Sequence, residues 1–140
     1  MLSNSVSNGP SIYDLLMIDI ETVPQCPEYA QLPELWKSLW FDKISKTVPE
    51  NFSPEESYLQ KAGILAEFGK VICISTGYFT TTENKQLTLR LKSIYGHDEK
   101  SILQSFMELI DKLQKHNKNF EFAGHNIREF DIPYICRRML

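Results

Sequence analysis

At 140 residues the chain is one domain long, with enough material to bury a core. Hydrophobic residues at 42% and charged residues at 24% are globular proportions and argue against a disordered or fibrous chain. A formal net charge of −3 argues against a broad basic face for gripping nucleic acid. It leaves room for an enzyme that meets phosphates through bound cations.

The start, MLSNSVSNGPS, is polar and has no signal-peptide pattern, and residues 1–13 read as a flexible tail. No apolar run reaches the roughly 18 residues of a membrane span. Cys26, Cys73 and Cys136 form an odd set without metal-type spacing, and Cys73 and Cys136 read as small buried hydrophobes. These features predict a cytoplasmic domain without membrane contact.

The first element is a strand over Leu15–Ile20, running into Glu21-Thr22 and stopped by Pro24 and Pro27. Residues 25–68 then read as a helical insertion. Leu32, Leu35, Trp36, Leu39 and Trp40 make one apolar stripe at helical spacing, so the two tryptophans are core residues before they are base-stacking ones. Ser53-Pro54-Glu55-Glu56 has the composition of a capping box, opening a helix that ends near Gly63.

Val71–Phe79 is β-branched and aromatic, as a central strand requires. A polar turn leads to a second strand in which Leu87, Leu89 and Leu91 alternate with polar residues, and the two strands form a hairpin. Asp98 caps a helix whose apolar face is Ile102, Leu103, Phe106, Ile110 and Leu113. A short strand ending at Gly124 precedes a last helix, with Pro133 in its first turn.

Two constellations carry candidate chemistry. Asp19 and Glu21 lie two apart in the first strand, so both project from one face with Cα atoms about 6.5 Å apart. Two charges 4 Å apart in an effective dielectric of 20 repel by about 4 kcal/mol. Solvation at the strand end, a shared proton or a divalent cation can relieve that cost. The second constellation, FAGHNIREFDIPYI, holds His125, Asn126, Phe130 and Asp131, where Asn126 could cap a helix and Asp131 sit in its first turn.

Together, DIET and the later Asn-x-x-x-Phe-Asp resemble the first two motifs of the DEDD superfamily of DnaQ-like 3′–5′ exonucleases. GHNIREFDIPYI is most similar to the proofreading domain of B-family DNA polymerases and to its stand-alone bacterial PolB-like relatives. AGILAEFGKVICISTGY resembles the segment those relatives carry between the motifs, so the likeness runs from Asp14 to Leu140.

The resemblance implies an α/β, ribonuclease H-like mixed sheet, three antiparallel strands followed by a parallel fourth, incomplete at the C-terminus. It implies Asp19, Glu21 and Asp131 as catalytic, metal-binding acids for two Mg²⁺ or Mn²⁺ ions. Thr22, Asn126 and Phe130 would bind substrate, a DNA 3′ end, with RNA as an alternative. A third motif with a fourth acid and a Tyr or His base does not follow Asp131. Glu108 and Asp111 sit upstream in a helix and read as solvent-facing rather than as substitutes.

The sequence therefore predicts that residues 14–140 are the N-terminal part of a longer exonuclease domain, weak or inactive alone, whose sheet edge could pair with a second copy. His125 reads as structural, His97 and His116 as loop and helix-end residues, and Arg137-Arg138 as a solvated helix face. A non-catalytic ribonuclease H-like interaction module is the alternative. A haloacid dehalogenase-type phosphohydrolase fits less well, because it needs Asp-x-Asp and here the second acid is Glu.

Overall fold

The computed structural model describes residues 9–47 and 53–140. Four strands, β1 (Leu15–Pro24), β2 (Gly69–Thr81), β3 (Leu87–Tyr95) and β4 (Glu121–Ala123), form one sheet in the order β3-β2-β1-β4. β1 pairs antiparallel with β2, and β2 with β3, whereas β4 lies parallel to β1. This is the expected ribonuclease H-like mixed sheet.

Among the described residues four α-helices accompany it: α1 (Glu34–Ile44), α2 (Pro54–Lys61), α3 (Glu99–His116) and α4 (Asp131–Met139). Local chemistry explains their starts. Ser53 and Glu56 exchange side-chain and backbone hydrogen bonds in the predicted capping box, with Pro54 at the first helical position. Asp98 caps α3 by accepting from the Lys100 amide.

One sheet face is buried. Leu16, Ile18 and Ile20 of β1 and Val71 and Ile74 of β2 pack against Ile102, Phe106 and Ile110 of α3 and Tyr134 and Ile135 of α4. A second cluster, built on Leu32, Trp40, Ile44, Tyr58, Ala62 and Phe68, gives the insertion its own core. No helix among the described residues is long and apolar enough to cross a membrane.

Several expectations change. The β3 leucines alternate as expected but sit on the opposite face, with Leu87, Leu89 and Leu91 all exposed. Gly77, paired with Met17 and Leu91, shows which face that is: a Cβ there would meet Leu91 Cδ2 and Met17 Cε. β3 turns Ile94 toward the core instead. In α1 the stripe narrows to Trp36, Trp40 and Ile44, while Leu35 and Leu39 are exposed, because only one side of this short helix meets α2 and Phe68.

Trp40 is fully buried and Trp36 half-buried, as the core reading requires. Cys136 is exposed and Cys73 only partly buried, because each lies on the uncovered side of its element. Part of the expected tail has local structure. Ser11 caps a single turn over Ile12–Asp14, and the Thr81 hydroxyl donates to that of Tyr13; residues 1–8 lie outside those described.

Candidate active site

Asp19 and Glu21 project from the open face of β1, both exposed, while their neighbours Ile18 and Ile20 are buried beneath. Strand alternation therefore does what the sequence implied: it sets two carboxylates side by side where water reaches them. Across the sheet, Asp19 stands opposite Ser75 and Glu21 opposite Cys73.

A bulge follows immediately, because the register slips between Glu21 and Thr22. Thr22 pairs with the buried Val71 and lies by the hydroxyl of Tyr134 on the covered side. Its side chain is thus turned away from the two acids.

Asp131 reaches this strand from 111 residues along the chain. β4 pairs with β1 only as far as Met17, so the β1 edge beyond it lacks a strand neighbour on that side. The Asp131 carboxylate takes that place: its Oδ1 accepts the Ile20 amide hydrogen at 3.0 Å. A buried backbone donor thereby gains its partner. Asp131 is itself 3% exposed and opens α4, where the helix N-terminus favours an anion.

Burial nevertheless pushes the Asp131 carboxyl above the usual range. The Ile20 amide and Asp131's own amide oppose that rise, the Asp19 carboxylate adds to it, and His125 lowers it. The Asp19 carboxylate is thus near enough to add to the shift of Asp131.

The connection from β4 to α4 is shaped by two backbone positions. Asn126 adopts φ 54°, a left-handed conformation asparagine tolerates, and its carbonyl accepts from the amides of Glu129 and Phe130. Its side chain is exposed, and it is not the α4 cap, which falls at Phe130. Gly124 passes so close to β1 that a Cβ would lie 2.6 Å from the Ile18 carbonyl oxygen and would strike Ile127.

Gly124→Ala is therefore expected to displace the loop that delivers Asp131, at a cost of about 1–3 kcal/mol, measured by urea denaturation. Phe130 is half-buried, with its ring 5.4 Å from that of Tyr134, and serves as packing for α4.

Sequence reasoning missed the groups that hold α4 in place. Arg138, expected on a solvated face, donates from Nε and Nη2 to the two carboxylate oxygens of Glu99, at 2.9 and 2.6 Å. Its Nη1 reaches the Ala66 carbonyl, and Glu99 also accepts the Val71 amide. Arg137 is exposed, as expected.

The Tyr134 hydroxyl donates to the Gly63 carbonyl at 2.8 Å, and burial pushes its pKa up to about 12. The signals for these contacts were Gly63 and Gly69 bracketing ILAEF and the i, i+3, i+7 spacing of Asp131, Tyr134 and Arg138. Their partners lie too far along the chain to be read from spacing.

The donor set is oxygen-only, suited to Mg²⁺ or Mn²⁺ rather than to zinc or copper. Asp19 and Asp131 are brought together, and Glu21 shares the face of Asp19. Among the described residues, no three His, Cys, Asp or Glu side chains converge closely enough to enclose one ion. Glu108 and Asp111 line an open groove beside α4 with Met107 and Met139, apart from these acids.

A mixed sheet with paired acids on its first strand, and a third at the helix after its parallel strand, defines a ribonuclease H-like, DnaQ-type 3′–5′ exonuclease domain. The family model described as DNA polymerase family B, exonuclease domain, matches residues 3–140. The chain belongs to that family. A search of curated proteins for relatives of this sequence found no match.

Proposed function

We propose that this chain removes nucleotides from a DNA 3′ end, with Asp19, Glu21 and Asp131 as the acids that hold Mg²⁺ or Mn²⁺. The observation that carries the reading is the convergence of Asp131 on the strand bearing Asp19 and Glu21. A divalent cation held there would acidify a bound water and neutralise charge on the scissile phosphate. It would also relieve the repulsion between the paired acids.

The protein's own contributions are positional. Asp131 is fixed in place by the Ile20 amide through one carboxylate oxygen. Asp19 and Glu21 face solvent, where a nucleic-acid end can approach. Asn126, exposed in its turn, is free to meet substrate. Thr22 can offer its backbone only, and Phe130 acts through α4.

Active-site groups act as a unit, and among the described residues no three acidic side chains already enclose one ion, so hydrolysis is expected to be slow. The test incubates a 3′-labelled single strand with the chain and Mn²⁺, and follows Mn²⁺ uptake by electron paramagnetic resonance. Slow nucleotide release and weak uptake, both lost in Asp19→Asn, are expected; uptake indifferent to that substitution would overturn the proposal.

A second reading draws on the open spacing of the three acids: a ribonuclease H-like module that binds nucleic acid without cutting it. It requires single-strand binding that is equal with and without Mn²⁺ and equal in Asp131→Asn.

A further inference from the structure

One face of α4 carries Asp131, Tyr134, Ile135 and Arg138, at i, i+3, i+4 and i+7. Asp131 is the acid of the candidate site, and Ile135 is ordinary core. Tyr134 and Arg138 lie about 4.5 and 10.5 Å further along the helix axis and make polar contacts that core packing does not require. Both reach the same segment, the link from the insertion to β2. Tyr134 donates to the Gly63 carbonyl and Arg138 to the Ala66 carbonyl.

The receptor for the tyrosine hydroxyl is built from backbone. Gly69 opens β2 directly beside it, and a Cβ at that position would collide with the Tyr134 oxygen and lie 2.7 Å from the Gly63 carbonyl oxygen. Gly69 also donates its amide to Leu65, closing the turn around this spot. The Thr22 hydroxyl, one residue beyond Glu21, adjoins the same oxygen from β1. Tyr134 thus touches both strands of the bulged pair that carries Asp19 and Glu21, and it sits one helical turn from Asp131.

We infer that Tyr134 is a positioning residue: its hydroxyl, held by Gly63 and accommodated by Gly69, fixes α4 along β1 so that Asp131 meets the Ile20 amide beside Asp19. Arg138 is the second anchor of the same helix. The link from Gly63 to Gly69 is then part of the active-site framework rather than a plain connection. The importance of this geometry for metal binding rests on the nuclease reading above; the positioning itself does not.

The test uses the metal-free chain and amide hydrogen exchange. In Tyr134→Phe, which keeps the ring and removes the hydroxyl, the Ile20 amide is expected to exchange about fivefold to tenfold faster relative to that of Ile74. Arg138→Lys is expected to act in the same direction to a smaller extent, and it serves alone if the tyrosine variant fails to fold. A purely structural role would move Ile20 and Ile74 together. That result, or an unchanged Ile20 in whichever of the variants fold, would overturn the inference.

A parallel Mn²⁺ titration keeps the two readings separate. If Asp131→Asn leaves uptake unaltered, the metal reading falls while the Ile20 exchange ratio still decides the positioning role.

Discussion

Asp131→Asn is expected to fold as well as the parent chain and to lower Mn²⁺ uptake by about tenfold to a hundredfold. The two effects part because the observed Ile20 contact and the proposed metal site make different chemical demands of Asp131. Accepting the Ile20 amide needs only an oxygen, which an asparagine side chain supplies in the same place. Holding a cation needs the negative charge. That charge is expensive where it stands, since burial and the neighbouring Asp19 both disfavour it, so its removal does not weaken the fold.

Asp131→Ala separates the roles from the other side. It removes the acceptor as well, leaving a buried Ile20 amide without its partner, at a cost of about 1–3 kcal/mol. Thermal denaturation together with Mn²⁺ titration of the two variants decides the matter. Equal melting temperatures for the two would show that the Ile20 contact contributes nothing. Undiminished Mn²⁺ uptake in both would remove Asp131 from the metal site.

Much of this site was legible because its logic is local. The i, i+2 spacing places Asp19 and Glu21 on one face of any strand, whatever lies around it. The capping box at Ser53, the cap at Asp98 and the apolar periodicities indicated the order of elements, and Ile102, Leu103, Phe106 and Ile110 are buried as a 3.6-residue period demands. That Asp131 belongs with the acids of β1 came from resemblance, since no spacing rule connects positions 19 and 131.

What stayed hidden depends on partners distant along the chain. Alternation at Leu87, Leu89 and Leu91 says that the leucines share a face, not whether that face is covered. Helical spacing sets Arg138 on the face of Asp131 and Tyr134 and Arg137 off it, but nothing local says that Glu99 lies against that face. Resemblance placed Thr22 at the substrate, but its side chain lies on the covered side, against Val71 and Tyr134. In each case the sequence defines a residue's face, and the assembled neighbours decide what that face meets.

Trp40→Ala is expected to cost about 3–5 kcal/mol, a large share of the roughly 5–15 kcal/mol that holds a typical domain together. Trp40 is 0% exposed and sits edge-on to the rings of Tyr58 and Phe68, with centroids 5.1 and 4.9 Å away. Its Nε1 hydrogen is shared between the Pro54 carbonyl and the Ser57 hydroxyl, each at 3.1 Å. Alanine would leave a cavity and strip Ser57, itself buried, of one partner.

Trp40→Phe keeps most of the volume and loses only the polar contacts, so about 1–2 kcal/mol is expected. The effect should also travel. Phe68 immediately precedes Gly69, and the link it belongs to holds α4 through Gly63 and Ala66. Loosening the insertion core should therefore speed Ile20 amide exchange along with that of residues 54–68. Urea melts of both variants, with exchange read at Ile20, test this: if Trp40→Ala destabilises the insertion while Ile20 keeps its protection, the insertion and the acid site are independent units.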